Sequence, residues 1–421
     1  MAILLDRVVR FIEYPNPDAR RAREAVMAAT RATSCNIFRR FDPRGLTISL
    51  AHFSADFRAD FPADFRADFR ADLFSQFFGT SYDCDSMTVH PNDPLLPEAK
   101  MHIVLPGAPV LARIASSDSC IRGKSASFVR HIGIDLAGTP LEGTFLAGQS
   151  FGVVVPGVDS KGRPHKVRLY SIASPSYGED GFGRVISTTC KRTIEEIPDE
   201  NDPTRSDGHP LILGVCSNWL CDQSVGNKIL VSGPNGKRFV LPANPSEHDY
   251  IFMATGTGIA PFRGMIHELL IGPPAGSPSH AQWKGPCQSK IHLVMGSPYR
   301  TDLLYDSWFR DLASAHPNFT YHTVISREPL SQPGHGPHTH HYVDARLDFF
   351  RPLLDSKRTL IYACGLAGMQ VGIFKALAVA GLGGQYLTVH EEIAAVAPSE
   401  WTTEQIKRRV RPTHRCMLEV Y

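Results

Sequence analysis

Four short stretches of this chain carry residue types that suit the binding of a dinucleotide and a flat ring. In "MATGTGIAPFRG" (253–264), Gly256 and Gly258 stand between an apolar run and a helix-like segment. Glycines there let the backbone approach a phosphate, and the amino end of a helix favours an anion. A plain strand-to-helix turn has the same pattern. In "VISRE" (324–328), Ser326 and Arg327 close another apolar run. A hydroxyl beside a guanidinium suits the 2′-phosphate of an adenosine, and a surface arginine is the plain alternative. In "YACGLAG" (362–368), Cys364 ends a third run. Cysteine is most often a small buried hydrophobe, but at the carboxyl end of a parallel strand it faces the ligand cleft. In "RLYSIAS" (168–174), Arg168 can bind a pyrophosphate, and Tyr170, on the same strand face, can stack on a ring.

These residues need two kinds of scaffold. From about Pro97 to Pro245, short alternating runs such as "FVRHIGIDL", "QSFGVVVPG" and "RVISTTCKR" are broken by Gly and Pro. That pattern predicts an antiparallel barrel over 96–246. From about Asp249, compact strands ("YIFMATG", "IHLVMGS", "TYHTVIS", "TLIYACG") alternate with helical stretches ("APFRGMIHELL", "LYDSWFRDLASA"). The alternation predicts a doubly wound parallel sheet over 247–421, with ligands at the strands' carboxyl ends.

The chain's 421 residues suggest two to three domains. Forty-four Lys+Arg against 42 Asp+Glu give no reason to expect a nucleic acid or other polyanion as partner. Nine scattered cysteines, none in a C-x-x-C pair, argue against a disulfide framework and for a reducing compartment. Cys216 and Cys221 have only the first spacing of a plant-type iron–sulfur motif, so no metal centre is expected. No apolar run is long enough to span a bilayer.

Residues 1–95 are an extension of different character, expected to be poorly ordered. Phe recurs at 53, 57, 61, 65 and 69, and Asp at 56, 60, 64, 68 and 72. On a helix this period drifts by about 40° per repeat, giving a slowly winding apolar stripe that Pro62 interrupts. A docking helix and a replicated low-complexity segment both fit. The arginines would suit a transit peptide, but the regular aspartates and scarce serines do not.

Taken in order, RxYS, CKR, GVCS, GTGIAP, SRE, CGL and EVY resemble the plant-type ferredoxin–NADP+ reductase family across about residues 98–421. "PHKVRLYSIAS", "GVCSNWLCD" and "ATGTGIAPFR" are the most specific matches. The resemblance implies an FAD-binding β-barrel followed by an NADP(H)-binding α/β domain. It implies an enzyme that exchanges electrons between NADP(H), as a hydride, and ferredoxin or flavodoxin, one at a time. Arg168 would then hold the FAD diphosphate, with Leu169 beside it. Tyr170 would cover one flavin face, and Ser171 would sit at the flavin N5 edge. Thr189, Cys190 and Lys191 would line the FAD, and Val215, Cys216 and Ser217 would offer it backbone donors. Thr257 would touch both cofactors. Ser297, Pro298, Ser326, Arg327, Gly365 and Leu366 would bind NADP(H), and Tyr342 would stack near its adenine. Cys364 would stand against the nicotinamide, with Glu419 close by and hydrogen-bonded to the Ser171 region. Tyr421 would cover the other flavin face as a displaceable lid.

The sequence departs from the family at several points. The lysine that usually lies two residues before the stacking tyrosine is His340, in "GHGPHTHHY". A mostly neutral imidazole there predicts weaker, pH-dependent selection of NADP over NAD. Histidines 335, 338, 340 and 341 suggest either a metal site or, in keeping with a loop, a solvated surface. No adenine-stacking tyrosine for FAD follows "CKR", where Ile194 lies nearby, and "DENDPTRSDGHP" (199–210) reads as an insertion. Lys161, Arg163 and Lys166, just before the flavin strand, suit an acidic electron carrier or an ordinary charged hairpin. The protein is expected to act as a monomer in the cytoplasm, or in the plastid stroma if the extension is a transit peptide. A reductase feeding an oxygenase and an NADP(H)-binding scaffold are the rival readings.

Overall fold

The computed structural model describes residues 93–121, 123, 125, 127–197, 210–328 and 338–421. The N-terminal repeat, nearly all of the 199–210 insertion and His335 lie outside them. The described residues belong to one compact unit, Val89–Tyr421.

The first half is an antiparallel sheet of six strands: β1 (Val110–Ser119), β2 (Val129–Asp135), β3 (Ser150–Val154), β4 (Arg168–Ser171), β5 (Val185–Lys191) and, after a short hairpin of β6 (Ile194–Glu196) and β7 (Leu211–Leu213), β8 (Lys228–Asn235). Their order is β4-β3-β8-β1-β2-β5. One bridge, Ile172 to Thr188, joins the two edges and closes the barrel. The closure is reinforced beside β4, where Ala173 N–H donates to Ser187 O at 2.7 Å and Thr188 Oγ1 to Ser171 O at 2.8 Å. Ile132, Ile134, Phe151, Val153 and Val231 fill the interior. A helix, Val215–Cys221, packs on β5 with Leu220 in the same core.

The second half is a parallel sheet of β9 (Asp249–Thr255), β10 (Ile291–Ser297), β11 (Phe319–Ile325), β12 (Thr359–Gly365) and, after a small ribbon of β13 (Leu387–Val389) and β14 (Val410–Pro412), β15 (Cys416–Val420). The order β11-β10-β9-β12-β15 runs 3-2-1-4-5, so it reverses between β9 and β12. That reversal opens a crevice at the carboxyl ends of those two strands. Every residue of β10 and β12 is buried, because helices cover both faces. Helices Ala260–Ile266 and Asp306–Ala315 lie on one side, and Thr339–Ala345, Leu347–Leu354 and Ala367–Val379 on the other.

The two halves share a core. Val129, Ala147 and Phe239 pack with Phe252, Phe262 and Tyr362. Phe262, in the first turn of Ala260–Ile266, has its ring 5.0 Å from that of Phe252 and 5.9 Å from that of Phe239. Such aromatic pairs contribute about 0.5–1.5 kcal/mol beyond area burial, so the helix start is fixed against both halves.

Candidate active site

The crevice is shaped by two close approaches. Gly256–Ile259 forms a 3-10 turn after β9. A Cβ on Gly258 would lie 2.2 Å from Cys364 O, so only glycine lets this turn rest flush on the end of β12. Gly365 has φ +143°, and a Cβ there would lie 2.0 Å from Thr255 Oγ1. Thr255 Oγ1 instead accepts a hydrogen bond from Leu366 N–H at 3.1 Å. Sequence reasoning singled out Gly365 but missed Thr255, whose only signal is that it precedes the glycine turn.

Parallel pairing sets Cys364 level with Ala254 on one side and Glu419 on the other. The Cys364 residue is 0% exposed. Burial pushes its thiol up, the Glu419 carboxylate adds to that, and a hydrogen bond with Ser171 of β4 opposes them. Ser171 from the barrel thus meets Cys364 from the parallel sheet. The Ser171 side chain lies beside the Cys364 thiol, and the Glu419 carboxyl makes no hydrogen bond among the described residues. Burial raises the Glu419 carboxyl to about 7.

Tyr421 is anchored through its backbone. Its N–H donates to Gly365 O at 3.0 Å, and its carbonyl accepts from Ala367 N–H at 3.0 Å. The residue is 60% exposed, and its hydroxyl lies 2.7 Å from Thr257 Oγ1. Thr257 and Tyr421, 164 residues apart in sequence, therefore meet over the same crevice.

On β4, Arg168 and Leu169 are exposed. The Arg168 guanidinium touches only the backbone oxygens of Lys166 and Val167, at 3.3 Å each, and has no carboxylate partner among the described residues. Tyr170 turns its hydroxyl inward to the thiols of Cys190 and Cys216, and burial followed by those two neighbours raises it. Lys191 and Val215 are exposed, while Thr189, Cys190 and Cys216 are buried. A free cation, an aromatic ring and the exposed start of Val215–Cys221 together fit a flavin nucleotide with an anionic diphosphate.

At the far end, Ser326 N–H donates to Ser297 O and Arg327 N–H to Pro298 O, each at 2.9 Å, which leaves the Arg327 side chain exposed. Tyr342 has its hydroxyl 2.9 Å from His322 Nδ1 and accepts from Arg346 at 3.0 Å. His340 is set differently. Its ring lies over Gly372, where a Cβ would come within 2.4 Å, and it faces Met253, Val343 and Ile373 inside the domain. Burial first, then His341 and His338, lower its pKa to about 4. No group of three metal-ligating side chains occurs among the described residues.

The seam beneath the crevice was not foreseen. Arg263 donates to Ala173 O at 2.9 Å and forks onto Glu179 of the barrel. Burial raises Glu179, but hydrogen bonds from His131, Arg263 and Ser187 more than reverse this and hold it below the usual carboxylate range. Tyr305 reaches across to His131 Nδ1 at 2.9 Å and Thr189 Oγ1 at 2.6 Å.

Known proteins resemble this chain in sequence and in fold. Residues 252–374 match the family described as an oxidoreductase NAD-binding domain. A ferredoxin–NADP reductase of rice, the chloroplastic embryo isozyme, is 33% identical over 66% of this chain and 69% of its own. Among solved structures, a ferredoxin–NADP+ reductase from Plasmodium falciparum with 2′P-AMP has the same fold, with a TM-score of 0.53 and 19% identity over 76% of this chain and 99% of its own. The ferredoxin–NADP reductase of Synechocystis is 31% identical over 80% of this chain and 73% of its own, and on that likeness the chain belongs to the ferredoxin–NADP reductase family.

Proposed function

We propose that this protein passes electrons between NADP(H) and ferredoxin through FAD, with the exchange at the seam where Ser171, Cys364 and Glu419 meet. The observation that most supports this site is the Ser171–Cys364 contact, which joins the barrel to the switch point of the parallel sheet. FAD, when bound, supplies the ability to take a hydride pair and give up electrons singly.

The chain's own residues bind, orient and guard. Arg168 and the backbone N–H groups of Val215, Cys216 and Ser217 offer positive charge to the FAD diphosphate, with Leu169, Thr189, Cys190 and Lys191 alongside. Tyr170 and Tyr421 offer rings to opposite faces of the flavin, and Thr257 tethers Tyr421 in its resting place. Ser326 and Arg327 take the 2′-phosphate of NADP(H). Ser297, Pro298, Gly365 and Leu366 follow the nucleotide inward, and Tyr342, its hydroxyl fixed at two points, stacks on the adenine. His340 faces the domain interior, so selection of NADP rests on Ser326 and Arg327. Cys364 and Ser171 flank the reacting carbon. Glu419, with a carboxyl near 7, holds a proton in a large share of molecules at neutral pH.

Ferredoxin or flavodoxin, both acidic one-electron carriers, would dock at Lys161, Arg163 and Lys166. All three are exposed, but Arg163 is already paired with Asp159 at 2.8 Å, so Lys161 and Lys166 offer the uncompensated charge. No helix among the described residues is long and apolar enough to cross a membrane. The seven described cysteines are all free, in keeping with a reducing compartment such as the cytoplasm or plastid stroma. An absorbance spectrum tests the reading: a bound flavin should bleach on adding NADPH and recover on adding ferredoxin. Bleaching reversed only by an oxygenase component would favour that rival, and a colourless protein would overturn the proposal.

A further inference from the structure

Behind β5, away from the nicotinamide crevice, the barrel has a cavity of about 360 Å³ lined by Ser117, Arg130, Arg192, Cys221 and Asp222, among others. Two guanidinium groups flank the ring of Phe128, Arg130 at 5.3 Å and Arg192 at 4.8 Å. Arg192 is paired with Asp222, whereas Arg130 bonds only to Ser117, leaving its Nε buried without a partner. Cys221 is 2% exposed at the wall of this cavity, and Cys190 is 0% exposed behind it. Their sulfurs lie 3.6 Å apart.

We propose that Cys221 and Cys190 form a peroxide-reactive dithiol that closes to a disulfide and slows the enzyme. The arrangement assigns different tasks to the two thiols. The hydrogen bond with Cys190 first, then the charges of Arg192 and Arg130, lower the Cys221 thiol against the effect of burial. The same bond, followed by burial, raises Cys190. Cys221 is therefore the thiol more readily deprotonated, and Cys190 the one that keeps its proton. Because so little of Cys221 is exposed, the cavity admits a small hydroperoxide more readily than a bulky disulfide.

The steps balance. The Cys221 thiolate attacks one oxygen of hydrogen peroxide; the O–O bond breaks, hydroxide leaves, and Cys221 becomes a sulfenic acid. Hydroxide takes the proton that Cys221 gave up. The Cys190 sulfur then attacks the Cys221 sulfur, the S–OH bond breaks, and the departing oxygen leaves as water with the Cys190 proton. Two thiols are oxidised to one disulfide, and one peroxide is reduced to two waters. Closing the gap to a disulfide bond requires about 1.5 Å of combined sulfur movement, within reach of side-chain rotation.

The bond would tie β5, which carries Thr189 and Lys191, to the helix that carries Cys216 and Ser217. It would also draw the Cys190 sulfur away from the Tyr170 hydroxyl. The effect on turnover rests on the flavin reading above; formation of the bond does not. The test treats the full-length holoprotein with hydrogen peroxide, alkylates the remaining thiols, and analyses a non-reduced digest by mass spectrometry. A linked pair of peptides holding Cys190 and Cys221, lighter by two hydrogens and lost on adding dithiothreitol, is expected. NADPH-driven dye reduction should fall several-fold with linking and recover on reduction, whereas Cys221→Ala should keep its own starting rate through the treatment. The proposal is overturned if the link joins Cys190 to Cys216, if Cys221 ends as sulfinic acid with no link, or if linking leaves turnover unchanged. A linked protein with no flavin spectrum would instead count against the flavin reading alone.

Discussion

Replacing Glu419 by glutamine tests what the end of β15 does. Burial moves the Glu419 carboxyl from 4.5 to about 7. At 1.36 kcal/mol per pK unit, holding this group ionised in the folded protein costs about 3 kcal/mol. Below the unfolded value the carboxyl is neutral in both states and the cost is absent. Between 4.5 and about 7 the folded protein binds more protons than the unfolded chain, so stability falls as pH rises. Above about 7 the loss is complete and constant. Glutamine has the same size and does not titrate. Glu419→Gln should therefore be more stable than the parent by about 3 kcal/mol at pH 8, and by less than about 1 kcal/mol at pH 5. Denaturant titration of both holoproteins at the two pH values measures this. The same variant removes the proton held beside Cys364, so kcat for NADPH oxidation should drop and lose its step near neutral pH. A stability gain that is equal at pH 5 and pH 8, or a parent enzyme with no step in kcat near 7, would refute the assignment.

Three further outcomes follow from the same geometry. Tyr421→Ser removes the ring stack and the hydroxyl contact with Thr257, together about 1–3 kcal/mol, so NADP+ should bind roughly fivefold to a hundredfold tighter, NADH should be used better, and NADPH turnover should slow; an unchanged NADP+ dissociation constant and NADPH/NADH ratio of kcat/KM would show that the ring guards nothing. Gly258→Ala sets a methyl group 2.2 Å from Cys364 O. Unfolding should show a loss of about 1–3 kcal/mol, with a raised KM for NADPH, and a variant matching the parent in both would mean that the turn can lift without consequence. Removing residues 1–88 should leave the flavin spectrum and dye reduction intact, because every residue proposed to hold a cofactor lies from Arg168 onward; loss of FAD on truncation would count against this. The cut must stop short of Leu95, whose carbonyl accepts from Ala243 N–H at 2.8 Å.

How much was legible depended on whether the signal was local. β9, β10 and β12 are apolar runs that end in small or polar residues, and that pattern marks a buried parallel strand whose tip faces a cleft. β1 escaped notice because its sequence, VLARIASSDS, is half polar; it is a strand because β2 and β8 pair with it on either side. The inward setting of His340 has a geometric cause. Two residues apart, His340 and Tyr342 would share a face in a strand, but they stand in the helix Thr339–Ala345, where such positions diverge. With Tyr342 turned to His322, His340 is carried round to Gly372. The residue that shares a face with Tyr342 is one turn on, and Arg346 does donate to its hydroxyl. The Arg263–Glu179 and Tyr305–His131 contacts join segments far apart in sequence, and no local pattern points to them.

If Tyr421 covers the flavin as proposed, its anchoring would explain how a modest stack can act as a selective guard. The backbone bonds of this residue go to the last residue of β12, at Gly365 O, and to the first residue of the helix Ala367–Val379, at Ala367 N–H, so the main chain is held whether or not the ring is displaced. What must break is one hydroxyl contact with Thr257 and one ring stack. A net hydrogen bond contributes about 0.5–1.5 kcal/mol and a stack a similar amount, so the barrier to entry is about 1–3 kcal/mol. That equals roughly a fivefold to hundredfold difference in occupancy. It is small beside the charge-assisted contacts that a 2′-phosphate would make with Ser326 and Arg327, and large enough to disfavour a nucleotide that lacks them. On the proposed reading, the nicotinamide ring would be admitted by binding energy gathered at the other end of the molecule, and the residue that disfavours NADH would also speed the release of NADP+.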